Sequence, residues 1–98
     1  MDTQQEAAGA RGTQDVPAAT GITVRYWAGA RAAAGVDTEP HTGPVTVDAL
    51  RAAMTSAHPE LATVLPVCSV LVDGLAADGA DPVPDGAVVE VLPPFAGG

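Results

Sequence analysis

The sequence closes on Pro93-Pro94-Phe95-Ala96-Gly97-Gly98, and the carboxylate that ends it is the group in this chain best placed for chemistry. With Gly at ~7% of residues, chance supplies a glycine pair at one fixed position in roughly 0.5% of chains. The pair therefore asks for a physical reason. Glycine has no Cβ, so a Gly-Gly end leaves the last carbonyl carbon unobstructed. A C-terminal carboxylate has a reference pKa near ~3.5, so at neutral pH it is an ionised oxygen nucleophile. Fully extended, the segment from Pro93 reaches roughly 20 Å, enough to enter a buried site while the body stays outside. The two prolines restrict φ and lower the entropy lost on insertion. In this reading Gly98 carries the reacting group, Gly97 clears its approach, and Pro93, Pro94, Phe95 and Ala96 form an insertion arm. Phe95 belongs to no strand and suits a pocket on a partner.

The other reactive residue types point elsewhere. Cys68 opens the apolar run Cys68-Ser69-Val70-Leu71-Val72 with no adjacent cation, the setting of a buried structural cysteine rather than a nucleophile. His41 and His58 stand apart in sequence, each beside a chain breaker, and read as loop histidines. Asp73, Asp78, Asp81 and Asp85 lack the spacing of a calcium loop, and three of them precede glycine as turn residues do. No catalytic constellation and no metal site are expected within the chain.

Composition narrows the class. The 98 residues make one small domain, and 47% apolar content with three aromatics gives an Ala/Val/Leu core. Four arginines, no lysine and twelve acidic residues leave a net charge of −8. Such a surface repels phosphate backbones, which argues against nucleic-acid binding and suits a partner with a basic face. One cysteine rules out an internal disulfide and fits a reducing cytoplasm. No apolar run approaches the ~20 residues of a membrane span, and the N-terminus lacks the pattern of a secretory signal. Residues 1–21 contain one β-branched aliphatic, Val16, and no aromatic. They cannot offset the entropy of ordering and are expected to form a disordered extension. The folded domain is expected over residues 22–98, with the tail at 93–98.

These groups need a scaffold, and its elements are legible. Ile22, Val24 and Tyr26 alternate with Thr23 and Arg25 as in a half-buried strand. Ala28 to Ala34 reads as a helical turn stopped by Gly35, and Val36 to His41 as a weak strand broken by Thr42-Gly43-Pro44. Thr46 is expected to cap a helix with Asp48 in its first turn and one apolar stripe of Val47, Leu50, Met54 and Ala57. His58-Pro59 ends that helix, and Leu61, Val64 and Leu65 suggest a further turn on the same core. Cys68–Val72 reads as a strand and Asp73-Gly74 as a turn. A loop punctuated by Asp78-Gly79 and Asp85-Gly86 leads to the final strand, Ala87–Leu92. The order strand, strand, helix, strand, strand resembles the β-grasp (ubiquitin-like) fold: α+β, a mixed sheet packed on one main helix, with a flexible C-terminal Gly-Gly tail.

The resemblance extends to motifs. Val24-Arg25-Tyr26-Trp27-Ala28 with Ala30–Gly35, the helix start Thr46-Val47-Asp48-Ala49-Leu50, and Asp85-Gly86 followed by Val89–Gly98 are similar to the MoaD/ThiS sulfur-carrier family. Within it they are similar to the small subunits of molybdopterin synthase. The similarity covers residues 22–98; Phe95 departs from the small aliphatic expected there, a departure that fits a subfamily with its own partner. The resemblance implies that an ATP-dependent, ubiquitin-activating-like adenylyltransferase converts Gly98 to an acyl-adenylate. A sulfur donor then supplies persulfide sulfur to give a C-terminal thiocarboxylate. The large subunit of molybdopterin synthase, in a heterotetramer, uses that sulfur for molybdopterin (molybdenum cofactor) biosynthesis. The chain would be a non-catalytic sulfur-donating subunit with no stably bound cofactor, ATP serving the activating enzyme. The alternatives are a sulfur carrier for thiazole or cysteine synthesis and a ubiquitin-like protein modifier.

Overall fold

The computed structural model describes residues 21–94. Its elements in chain order are β1 (Ile22–Tyr26), α1 (Ala28–Ala34), β2 (Thr38–His41), β3 (Val45–Thr46) and α2 (Val47–Ala57). Two 3-10 turns, Pro59–Thr63 and Leu65–Val67, follow, then β4 (Ser69–Val72), β5 (Leu75–Ala77), β6 (Pro82–Val83) and β7 (Val88–Leu92). Five strands form one mixed sheet in the order β2-β1-β7-β4-β5, and β3 pairs with β6 in a separate ribbon. β1 and β7 run parallel at the centre, and the other pairs are antiparallel. This is the mixed sheet on one main helix anticipated from the sequence.

Alternation produces the core. Ile22, Val24 and Tyr26 point inward from β1, and Val89 and Val91 do the same from β7. From the other side α2 buries Val47, Leu50 and Met54, and the turns add Leu61 and Leu65. Full burial of a Leu or Val is worth roughly 1.5–3 kcal/mol against exposure, so these contacts are what hold α2 on the sheet. The Thr46 hydroxyl accepts from the Ala49 amide at 3.1 Å, the expected N-cap. Arg51 donates to the carbonyls of Leu65 at 2.8 Å and Cys68 at 3.4 Å, tying both ends of the second 3-10 turn to the helix.

Several boundaries differ from the sequence reading. Ala57, expected in the helix stripe, is exposed: the chain turns away at His58 before that last turn meets the sheet. Val36 is also exposed and precedes β2, which begins at Thr38. Cys68 closes the 3-10 turn instead of opening β4. The stretch read as a loop holds β5 and β6, too short for alternation to reveal. β5 forms a hairpin with β4 through Asp73-Gly74, where both residues take positive φ (49° and 86°), as a two-residue primed turn requires.

Candidate functional site

The arm predicted at 93–98 begins where β7 ends. β7 lies in the middle of the sheet, and Leu92, its last residue, stands opposite Ser69 of β4. On the other side Tyr26 is in register with Val91, and the Trp27 amide donates to the Val91 carbonyl at 3.1 Å. Pro93 is half-buried and Pro94 exposed. The root of the arm is thus held by strands on both sides, and the prolines mark where pairing stops, because proline has no amide to continue a ladder. Phe95, Ala96, Gly97 and Gly98, including the proposed reacting carboxylate, lie outside the described residues.

The sheet surface beside this root is mixed in character. Arg25 and Glu90 are neighbours in the parallel register, with Leu71 on the far side of Glu90. The Arg25 guanidinium lies 5.2 Å from the centre of the Trp27 ring, a cation–π arrangement, and Trp27 is 39% exposed.

Cys68 has the structural role expected of it. Its side chain is buried, and the thiol donates to the Val64 carbonyl at 3.2 Å. Burial pushes the thiol pKa up, and nearby Arg51 offsets this only in part, so at neutral pH the sulfur is a protonated thiol and a poor nucleophile. The aspartates serve turns. Asp73 accepts from the Val88 amide at 2.9 Å, and Asp81 accepts from the Asp78 amide at 3.0 Å. Among the described residues no group of three or more His, Cys, Asp or Glu side chains is arranged to hold a metal ion. None of their helices is long and apolar enough to cross a membrane.

The histidines correct the sequence reading. His41 and His58 are not isolated loop residues; both reach the carboxylate of Glu39. His58 Nε2 lies 2.6 Å from Oε1, His41 Nε2 lies 2.9 Å from Oε2, and the Tyr26 hydroxyl donates to Oε2 at 2.5 Å. The Tyr26 and His58 rings also meet edge to face, 6.1 Å between centres. Burial pushes the Glu39 carboxyl up, but the bonds from His58, Tyr26 and His41 outweigh it and hold the group below the usual carboxylate range. The Tyr26 phenol is raised, by burial first and then by its bond to Glu39. Nothing local in the sequence signals this cluster, because its members come from β1, β2 and the end of α2.

The fold and the placement of the tail root define a β-grasp carrier or modifier of the ubiquitin-like kind. The model of the ThiS family matches residues 24–98, and the chain belongs to that family. Among solved structures, it is similar to a putative molybdopterin converting factor subunit 1 from Pyrococcus furiosus, at 26% identity and TM-score 0.70 over 78% of this chain and 99% of that one. It is similar at 26% identity and TM-score 0.68 to small archaeal modifier protein 1 from Haloferax volcanii, covering 80% of this chain and 99% of the other. A complex of subunits 1 and 2 of the molybdopterin-converting factor from Helicobacter pylori shares the fold, with TM-score 0.60 and 24% identity over 80% of this chain and 99% of that one. A search of curated protein sequences finds no match.

Proposed function

We propose that this protein carries sulfur on its C-terminal glycine and donates it for molybdopterin synthesis as the small subunit of a molybdopterin synthase. The observation that carries the reading is the family match running to Gly98, together with a central strand that delivers the chain to that end. A Gly98 carboxylate oxygen attacks the α-phosphorus of ATP on an adenylyltransferase, and pyrophosphate leaves. The terminal sulfur of a donor persulfide then attacks the acyl carbon, forming a C–S bond as the C–O bond to AMP breaks. A second thiol cleaves the S–S bond and leaves the thiocarboxylate on Gly98, the two donor sulfurs ending as a disulfide. The body contributes no acid or base to these steps; Pro93, Pro94, Phe95, Ala96 and Gly97 place the carboxylate and leave room around it. The Helicobacter pylori complex of two subunits supports a large-subunit partner, and a cytoplasmic setting accompanies this chemistry.

The similarity to a small archaeal modifier protein favours a second reading, in which Gly98 is joined to lysines of other proteins. Intact-mass spectrometry of the chain purified from its host separates the two. Replacement of one oxygen by sulfur at Gly98 supports the carrier, and isopeptide adducts without that replacement support the modifier. An unmodified carboxylate after incubation with ATP, a persulfide donor and the host's adenylyltransferase would overturn the carrier reading.

A further inference from the structure

We infer that Tyr26, Glu39, His41 and His58 form an acid-released latch that fastens the edge strand β2 to the C-terminal end of α2. β2 is one of the two edge strands of the sheet and pairs only with β1, through four register positions from Ile22↔His41 to Arg25↔Thr38. One of its four residues is Pro40, which has no amide to donate. The backbone ladder that holds it is therefore short, and Glu39 supplies the cross-link. The titratable groups facing this carboxylate come from every side of it: Tyr26 from β1, His41 from β2 itself, and His58 from the junction of α2 with the first 3-10 turn. The side chains are largely withdrawn from water, with 16% exposure for Glu39, 12% for His41 and 20% for His58.

The hydrogen-bond inventory makes the latch sensitive to a single proton. An ionised carboxylate only accepts, so beside it the Tyr26 hydroxyl and the Nε2 atoms of His41 and His58 serve as donors. Protonation removes the charge that strengthens all three bonds and gives the carboxyl a donor of its own, so the cross-link weakens at every partner. The loss falls on an edge strand that has a single neighbour in the sheet. Opening β2 also uncovers the outer edge of β1, an unpaired strand edge able to pair with another chain. The sign follows from the depressed Glu39 carboxyl: the bonds are fully present above the unfolded carboxylate range and are lost as pH falls through the folded value.

Amide hydrogen exchange on the full chain, read by NMR and corrected for intrinsic pH dependence, tests this between about pH 6.5 and about pH 3.5, a span that brackets carboxylate titration. The Tyr26 amide, which donates to Asp37, and the His58 amide, which donates to Met54, report on the latch. The Thr23 and Trp27 amides, bonded to Ala87 and Val91 on the β7 side, are the controls. The expected result is at least a several-fold loss of protection at Tyr26 and His58 relative to the controls, abolished in Glu39→Gln. All four amides losing protection in step, or the differential surviving in Glu39→Gln, would overturn the latch. If that variant does not fold, the Glu39 side-chain carboxyl carbon is titrated in the unmodified chain. A midpoint coinciding with the loss at Tyr26 and His58 supports the latch, and separate midpoints refute it.

Discussion

Tyr26 and Val91 stand side by side in the parallel pair at the centre of the sheet, and the residue after Tyr26 donates its amide to the Val91 carbonyl at 3.1 Å. The same position that turns the Tyr26 ring into the core therefore anchors the strand from which the C-terminal arm departs. Fold and arm meet at this pair, and changes beyond Leu92 leave it untouched.

Deleting Gly98 moves the carboxylate back by up to about 3.5 Å in an extended arm. Adenylation depends on near-attack geometry, where an error of ~1 Å costs about 100-fold. ATP–pyrophosphate exchange with the activating enzyme should vanish for the deletion, and equally for a chain tagged after Gly98, while the melting temperature of both stays that of the unmodified chain. Full exchange by the deletion variant would show that the terminal carboxylate is not the reacting group.

Phe95→Ala keeps the carboxylate in place and removes an aromatic anchor, which should weaken a partner by about 1–3 kcal/mol. Exchange should persist at saturating protein with a raised apparent affinity constant. A loss of maximal rate with unchanged affinity would mean that Phe95 positions the reacting group instead of gripping the partner.

Cys68→Ser should still be loaded with sulfur, with some stability lost because a hydroxyl replaces a buried thiol. Since burial raises the Cys68 thiol, the fold favours its protonated form. That contribution to stability is present below the unfolded thiol pKa of ~8.5 and is lost as pH rises through the folded value. Alkylation at mildly alkaline pH should accordingly be much slower in the native chain than in denaturant. A folded Cys68→Ser protein that cannot be loaded would transfer the carrier role to the thiol.

Removing residues 1–20 should leave both melting temperature and sulfur loading nearly unchanged, since the described core is built from residues between Ile22 and Val91. A fall of many degrees in the thermal midpoint would show that the extension contributes to the folded body.

What could be read from the sequence was what local periodicity encodes. β1 and β7 alternate cleanly, Thr46 caps α2 as its residue type demands, and Asp73-Gly74 turns the hairpin. The two- and three-residue strands β5 and β6 carry too few positions to alternate, so only tertiary pairing reveals them. The arm is read from its composition alone, and of it the structure describes only Pro93 and Pro94. The Glu39 cluster was not legible, because its bonds join residues 13 and 19 positions apart and no spacing rule links an edge-strand carboxylate to the end of a helix. His41 and His58 looked inert only while their partner was out of view.

The placement of β7 has a mechanical consequence. Any pull on the chain beyond Leu92 acts along the axis of a strand hydrogen-bonded on both flanks, to β1 and to β4. Such a load is shared in shear by two ladders, whereas a tail leaving from an edge strand would have one to resist it. A chain built this way resists unravelling from its C-terminal side when that side is pulled.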